Sequence, residues 1–219
     1  MPGTKSTRRP QTRAPHRSRL LPTSTSTKPV AVAITGAIGA GKSAALEAFA
    51  RHGAATISSD EIVHRLLRSD ANVRRELVER FGPEVIGDNG PDRGKIAEIV
   101  FNHPDQLDWL EELLHPRVAE ENLAWRAEQE RRDDPPALTV TEVPLLYETG
   151  ADRRFDVVVV ITAPEAVRRE RRPPGDDREQ RLLPEEEKVA LADYAYVNDG
   201  TLEQLDAFVA DVVGKITAK

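Results

Sequence analysis

The segment Gly36-Ala37-Ile38-Gly39-Ala40-Gly41-Lys42-Ser43 constrains this chain more than any other feature. It fits G-x-x-x-x-G-K-[ST] in full and lies between a β-branched run, Val30-Ala31-Val32-Ala33-Ile34-Thr35, and an amphipathic stretch, Lys42 to His52. At the end of a strand and the start of a helix, such glycines let backbone N–H groups turn onto a phosphate. The helix N-terminus adds positive potential, and the lysine ammonium reaches the outer phosphates. Lys42 is thus a candidate catalytic cation, Gly36, Gly39, Ala40, Gly41, Lys42 and Ser43 are candidate phosphate contacts, and Ser43 is the candidate Mg²⁺ ligand. The competing reading, a glycine-rich turn with a solvent lysine, does not require this strand–loop–helix setting. The chain is expected to bind a nucleoside triphosphate.

Four further runs read as strands: Ala54 to Ile57, Ala137 to Val143, Asp156 to Thr162 and Tyr194 to Val197. The continuous β-branched run Val30 to Thr35 indicates a strand buried on both faces, and Ala137 to Val143 and Asp156 to Thr162 look like central strands. Helical periodicity occupies Lys42–His52, Glu61–Leu67, Val73–Phe81, Leu107–Glu128 and Leu202–Val213. The alternation predicts an α/β protein of the three-layer P-loop NTPase type with a five-stranded parallel sheet. The long helical stretch between the second and third strands exceeds one crossover and predicts a helical insertion over about 60–132.

Charge marks a second boundary. Residues 1–29 hold seven basic residues, no acidic ones, five prolines and ten Ser or Thr; the rest carries 24 basic against 37 acidic side chains. Such a tail cannot bury enough apolar surface to offset its ordering entropy and is expected to be disordered. An inert tail or misassigned start, a targeting presequence and a polybasic arm all stay open for it, whereas the lack of an apolar core segment excludes a secretory signal. The acidic body over 30–219 argues against a nucleic-acid partner. With no cysteine, the chain has no disulfide, Cys-ligated zinc or thiol nucleophile. No apolar run approaches the ~18 residues of a membrane span, so a soluble, cytoplasmic protein without a membrane partner is expected.

Asp60 follows the second strand, at the carboxyl edge where open α/β sheets bind ligands. It could take a proton from a substrate hydroxyl or touch Mg²⁺ through water, or Ser58-Ser59-Asp60-Glu61 could be an ordinary helix cap. Glu142, closing the third strand, is either the acidic group near Mg²⁺ or a solvated strand end. His52, His64, His103 and His115 have no metal-ligand spacing, and His115-Pro116 is expected to begin a helix. The run Arg168 to Arg178 is either a solvated helix face or a lid over about 171–184, with Arg171 and Arg178 as its phosphate-facing cations.

Taken together, these residues resemble the dephospho-coenzyme A kinase family. The stretches that carry the likeness are Ile34 to Ser43, Gly53 to Asp60, Val100-Phe101 through Leu113-Leu114-His115-Pro116, Glu142-Val143-Pro144-Leu145-Leu146-Tyr147-Glu148, and Leu191-Ala192-Asp193-Tyr194 through Asn198-Asp199-Gly200. The resemblance implies ATP- and Mg²⁺-dependent phosphorylation of the ribose 3′-hydroxyl of dephospho-CoA, giving CoA and ADP. It implies Asp60 as base, Gly39 to Ala44 around the triphosphate, Asn198 near the adenine, and a helical insertion that receives the CoA moiety. It also implies substrate contacts at Asp60, His115, Pro144, Leu145 and Glu148. The chain departs from the family at Ser58, usually Asp, at His64, usually Arg, and in a short lid, which predicts slower transfer or leakier ATP hydrolysis. Another P-loop small-molecule kinase and a nucleotide-binding regulatory protein with impaired transfer are the alternatives. Oligomeric state is not legible.

Overall fold

The computed structural model describes residues 28–88, 90–101, 103–171 and 182–218. Most of the basic tail, and Arg178 with most of the expected lid, lie outside them. In chain order the elements are β1 (Val30–Thr35), α1 (Lys42–Arg51), β2 (Ala55–Ser58), α2 (Ser59–Ser69), α3 (Ala71–Phe81), a hairpin of β3 (Ile86–Gly87) and β4 (Gly90–Pro91), α4 (Arg93–Phe101) and α5 (Pro104–Glu130). There follow β5 (Leu138–Glu142), β6 (Val157–Thr162), α6 (Glu165–Arg171), α7 (Glu185–Leu191), β7 (Tyr194–Val197) and α8 (Leu202–Thr217). The described chain forms two compact units, one running up to Ile57 and resuming at Gln129, the other Ser58–Glu128.

The first unit is built on a five-stranded parallel sheet in the order β2-β5-β1-β6-β7. β1 is central, pairing Val30–Ile34 with Leu138–Glu142 on one side and Val32–Thr35 with Val157–Val160 on the other. Successive β1 residues serve opposite cores. Val32 and Ile34 join Phe49 of α1 and Phe208, Val209 and Val212 of α8, while Ala31 and Ala33 meet Leu146, Phe155 and Ala192. Burial on both faces is the physical reason β1 and β6 read as nearly unbroken apolar runs, while β5 also buries Thr139, Thr141 and Glu142; each fully buried Val, Ile or Phe contributes about 1.5–3 kcal/mol. Two aspartates extend the ladder where strands begin: Asp156 accepts the Ala31 N–H at 2.9 Å, and Asp193 the Val158 N–H at 2.8 Å.

The second unit is helical around Leu67, Val73, Leu77, Phe81, Val85, Ile96, Val100, Leu113 and Leu114. Phe81 meets Trp109 edge-on at 5.3 Å, and the Arg80 guanidinium lies over the same indole. Asp70 caps α3 through the N–H groups of Asn72 and Val73. Asp92 accepts from Gly94 and Lys95 at the start of α4, a helix the periodicity did not reveal.

His115-Pro116 does not begin a helix. Pro116 lies inside α5, whose buried residues flank it at Leu113, Leu114 and Asn122. Proline supplies no N–H for the carbonyl four residues back, a cost of ~3 kcal/mol in an isolated helix. Burial on both sides of the proline outweighs that local preference. Arg117 assists: its guanidinium donates to the Leu113 carbonyl at 2.7 Å, inside the perturbed turn, and pairs with Glu76 of α3 at 3.0 Å.

Candidate active site

The loop joining β1 to α1 is shaped by three glycines with positive φ: Gly36 (143°), Gly39 (77°) and Gly41 (97°). Two also stand where no side chain fits. A Cβ on Gly36 would run into the Ile161 carbonyl oxygen, and one on Gly41 into the Asn198 side-chain amide. Gly39 is less tightly set, with the Arg168 carbonyl oxygen 2.8 Å from where its Cβ would be.

Side chains occupy three of the loop's carbonyls. The Lys42 ammonium donates to Ala37 O at 3.0 Å, Asn198 Nδ2 to Ala40 O at 2.8 Å, and Arg171 Nη1 reaches Gly39 O at 3.5 Å. With its acceptors engaged in this way, the loop offers N–H donors at the positive end of α1, the arrangement an anion needs. Asn198 is buried and fixed from behind by its own N–H on Thr162 O at 2.7 Å. Ala44 is half-buried in the first turn of α1.

Ser43 lies at the start of α1 with its hydroxyl 3.5 Å from Glu142 Oε2. The β1–β5 register causes this meeting: Glu142 stands opposite Ile34, and the Val143 N–H closes on Ile34 O at 2.8 Å. Glu142 is 8% exposed, so it is a buried carboxylate rather than a solvated strand end. A hydroxyl and a carboxylate at this separation are hard oxygen donors of the kind that hold Mg²⁺.

Beyond Glu142, the Thr35 hydroxyl donates to Pro144 O at 3.3 Å, tying the Pro144-Leu145 turn to the stem of the phosphate loop. Glu148 points inward: its Oε1 accepts the Leu183 N–H at 2.8 Å and meets the Lys188 ammonium at 2.8 Å. Lys188 is 2% exposed. Sequence reading missed it, because Glu185-Glu186-Glu187-Lys188 has the composition of a solvated face and only tertiary packing buries its last member. Arg168, on α6, donates to Ala163 O at 3.1 Å and stands 3.9 Å from Glu185 of α7.

Asp60 and His115 belong to the helical unit. The cap of α2 is Ser58, whose hydroxyl accepts the Asp60 N–H at 3.2 Å, while Glu61 Oε2 accepts the Ser58 N–H at 3.3 Å. The capping duty thus falls on the residues either side, and Asp60 keeps an exposed carboxylate with no hydrogen bond or ion pair among the described residues. Ser58, where the family usually has Asp, fills the cap position as well as Asp would. His115 is half-buried, one residue ahead of the proline turn. Among the described residues no cluster of His, Asp and Glu forms a separate metal centre.

Three comparisons bear on this site. The family model of dephospho-CoA kinase matches residues 30–204. Two relatives named dephospho-CoA kinase are 39% identical over 185 residues (Chlamydia abortus, 80% of this chain and 90% of that one) and 32% identical over 198 residues (Brucella melitensis, 87% and 96%). A crystal structure of a Thermus thermophilus protein superposes with a TM-score of 0.67 at 31% identity, covering 86% of this chain and 98% of that one. A Campylobacter jejuni dephospho-CoA kinase, 24% identical, shares the fold with a TM-score of 0.66 over 86% of this chain and 97% of its own.

Proposed function

The chain belongs to the dephospho-CoA kinase family, and from that premise we propose how its residues carry ATP-dependent phosphorylation of the ribose 3′-hydroxyl of dephospho-CoA. The observation that carries this reading is the match of 30–204 together with a phosphate loop whose carbonyls are turned aside by Lys42, Asn198 and Arg171.

The loop N–H groups from Gly39 to Ala44 cradle the triphosphate, and Lys42 follows the transferring group with its charge. Asn198 holds the loop from the side on which the adenine lies. Asp60 is the base: its carboxylate takes the proton as the 3′-oxygen forms its bond to the γ-phosphorus, and the bond from that phosphorus to the β–γ bridging oxygen breaks, releasing ADP. Ser43 and Glu142 hold Mg²⁺, which when bound neutralises charge on the phosphates. The helical unit receives the CoA moiety, with His115 among its contacts, and Pro144 and Leu145 of the sheet-bearing unit are further substrate contacts in this reading. Among the described residues no helix is long and apolar enough to cross a membrane.

Neither alternative, another acceptor or a protein that binds without transfer, is favoured by the relatives quoted above. The test is ADP release by the purified protein with Mg²⁺ and ATP, with and without dephospho-CoA, alongside the mass of the product. Acceptor-dependent release and a gain of one phosphate are expected; ATP hydrolysis indifferent to the acceptor would refute the reading.

A further inference from the structure

We infer that Glu148 and Lys188 are positioning residues for phosphoryl transfer, acting through the phosphate loop and touching no substrate. The inference rests on the kinase reading above and concerns the sheet-bearing unit alone. Both Glu148 oxygens are engaged or buried: Oε1 holds the Leu183 N–H and the Lys188 ammonium, and Oε2 is buried without a hydrogen bond.

The pair closes a ring of contacts around the loop. Thr35, just before Gly36, holds Pro144; the turn that follows ends at Glu148; Glu148 holds Leu183 and Lys188. From α7 the ring passes by Glu185 to Arg168 of α6, whose carbonyl abuts Gly39, and Arg171 returns to the Gly39 carbonyl. Three stretches remote from the loop in sequence thereby converge on it.

Stability alone is a poor reason for this link. Taking a carboxylate and an ammonium out of water costs several kcal/mol per ion, and an apolar pair of similar volume is commonly as stable or more so. What the ions supply is direction. The Leu183 N–H bond gives the carboxylate its direction, and the ion pair with Lys188, whose Nζ makes no hydrogen bond, ties α7 to the turn after β5. A shift of about 1 Å in a loop that aligns reacting phosphates costs on the order of 10²-fold in rate.

The experiment compares Lys188→Met, Glu148→Gln and their double variant in kcat, in KM for each substrate and in thermal stability, with the wild type's acceptor-dependent ADP release as reference. Each single variant leaves a buried group unpaired and should lose stability. The double variant should recover most of that stability, yet stay at least ~10-fold down in kcat with KM for ATP within about twofold. Lys188→Arg, which keeps the charge, should restore most of the turnover. A double variant with wild-type kcat would show the pair to be structural only. A rise in KM for dephospho-CoA at unchanged kcat would make Glu148 a substrate ligand; either result overturns the inference. Should the double variant fail to fold, Glu148→Asp decides: the charge stays but retracts by one methylene, so kcat must fall, and a normal kcat overturns the proposal. Absence of acceptor-dependent turnover in the wild type is a separate outcome, which refutes the kinase reading itself.

Discussion

The two units solve the placement of polar groups in opposite ways. In the sheet-bearing unit the ties that shape the site span long stretches of chain: Asn198 to Ala40, Ser43 to Glu142, Lys188 to Glu148. In the helical unit Asp60 is presented by its immediate neighbours, Ser58 and Glu61, with no distant partner involved. Parallel strands bring remote residues to one edge, so topology does the positioning there. A helix start exposes four unbonded N–H groups, so local capping does it in the other unit. The lesson is that damage should spread differently: a lost tie in the first unit reaches the loop through several elements, whereas one in the second stays within the helices it joins.

The largest expected effect tests the sheet side. Lys42→Ala removes the cation that follows the γ-phosphate and should lower kcat/KM by about 10³-fold, without loss of the far-ultraviolet circular dichroism of the fold. Asp60→Asn should lower kcat by about 10²-fold and leave ATP affinity within twofold, read by single-turnover kinetics and nucleotide titration. Near-normal turnover in that variant would remove Asp60 from the chemistry and break the comparison at its helical end.

Arg117→Ala should cost about 1 kcal/mol, since it deprives the Leu113 carbonyl and Glu76 of a partly exposed guanidinium. Hydrogen exchange should show the loosening confined to α3 and α5; spread into the sheet would contradict the division. The smallest effect concerns Asp206 of α8, whose carboxylate is held below the usual range by hydrogen bonds from Arg51 and then His52 at the end of α1. A depressed carboxylate stabilises the fold above its unfolded pKa and loses that contribution as pH falls through the folded value. Asp206→Asn should therefore lower Tm slightly at neutral pH, with the gap to wild type closing in acid.

What could be read in the sequence follows the same division. The five strands and the phosphate loop were legible because β-branched runs and a glycine–lysine pattern leave direct marks in residue order; burial is complete along β5 and β6, whereas Val197 at the end of β7 is exposed. The ends of β2 and β5 moved by a residue, as the last hydrogen bond rather than the last apolar residue sets a boundary. In the helical unit, Pro116 misled because proline's local rule yields to packing on both its sides. The missed helix α4 did carry a signal, Asp92 after Pro91, a cap residue ahead of a segment with little amphipathic contrast. Over helix α6 the arginine run admits two readings from sequence, and the Glu165–Arg169 pair is the i, i+4 mark that distinguishes the helix. Among the site residues, Asp60 could be narrowed to base or cap from spacing, and only the geometry of Ser58 and Glu61 relieves it of capping. The burial of Lys188 left no trace in order or composition, since a partner forty residues upstream creates it.

The glycines of the phosphate loop differ in what else in the chain could change with them. At Gly36 the obstacle to a side chain is the backbone of Ile161, which every residue type shares, so no substitution elsewhere opens that site. At Gly41 the obstacle is a side chain, that of Asn198. Positions 41 and 198 are thus epistatic: a smaller residue at 198 makes room beside the loop, and what then forbids a larger one at 41 is its φ of 97° alone. In a library randomised at both positions, variation at 41 should be recovered only on backgrounds that have already given up Asn198, whereas Gly36 should stay glycine on all of them.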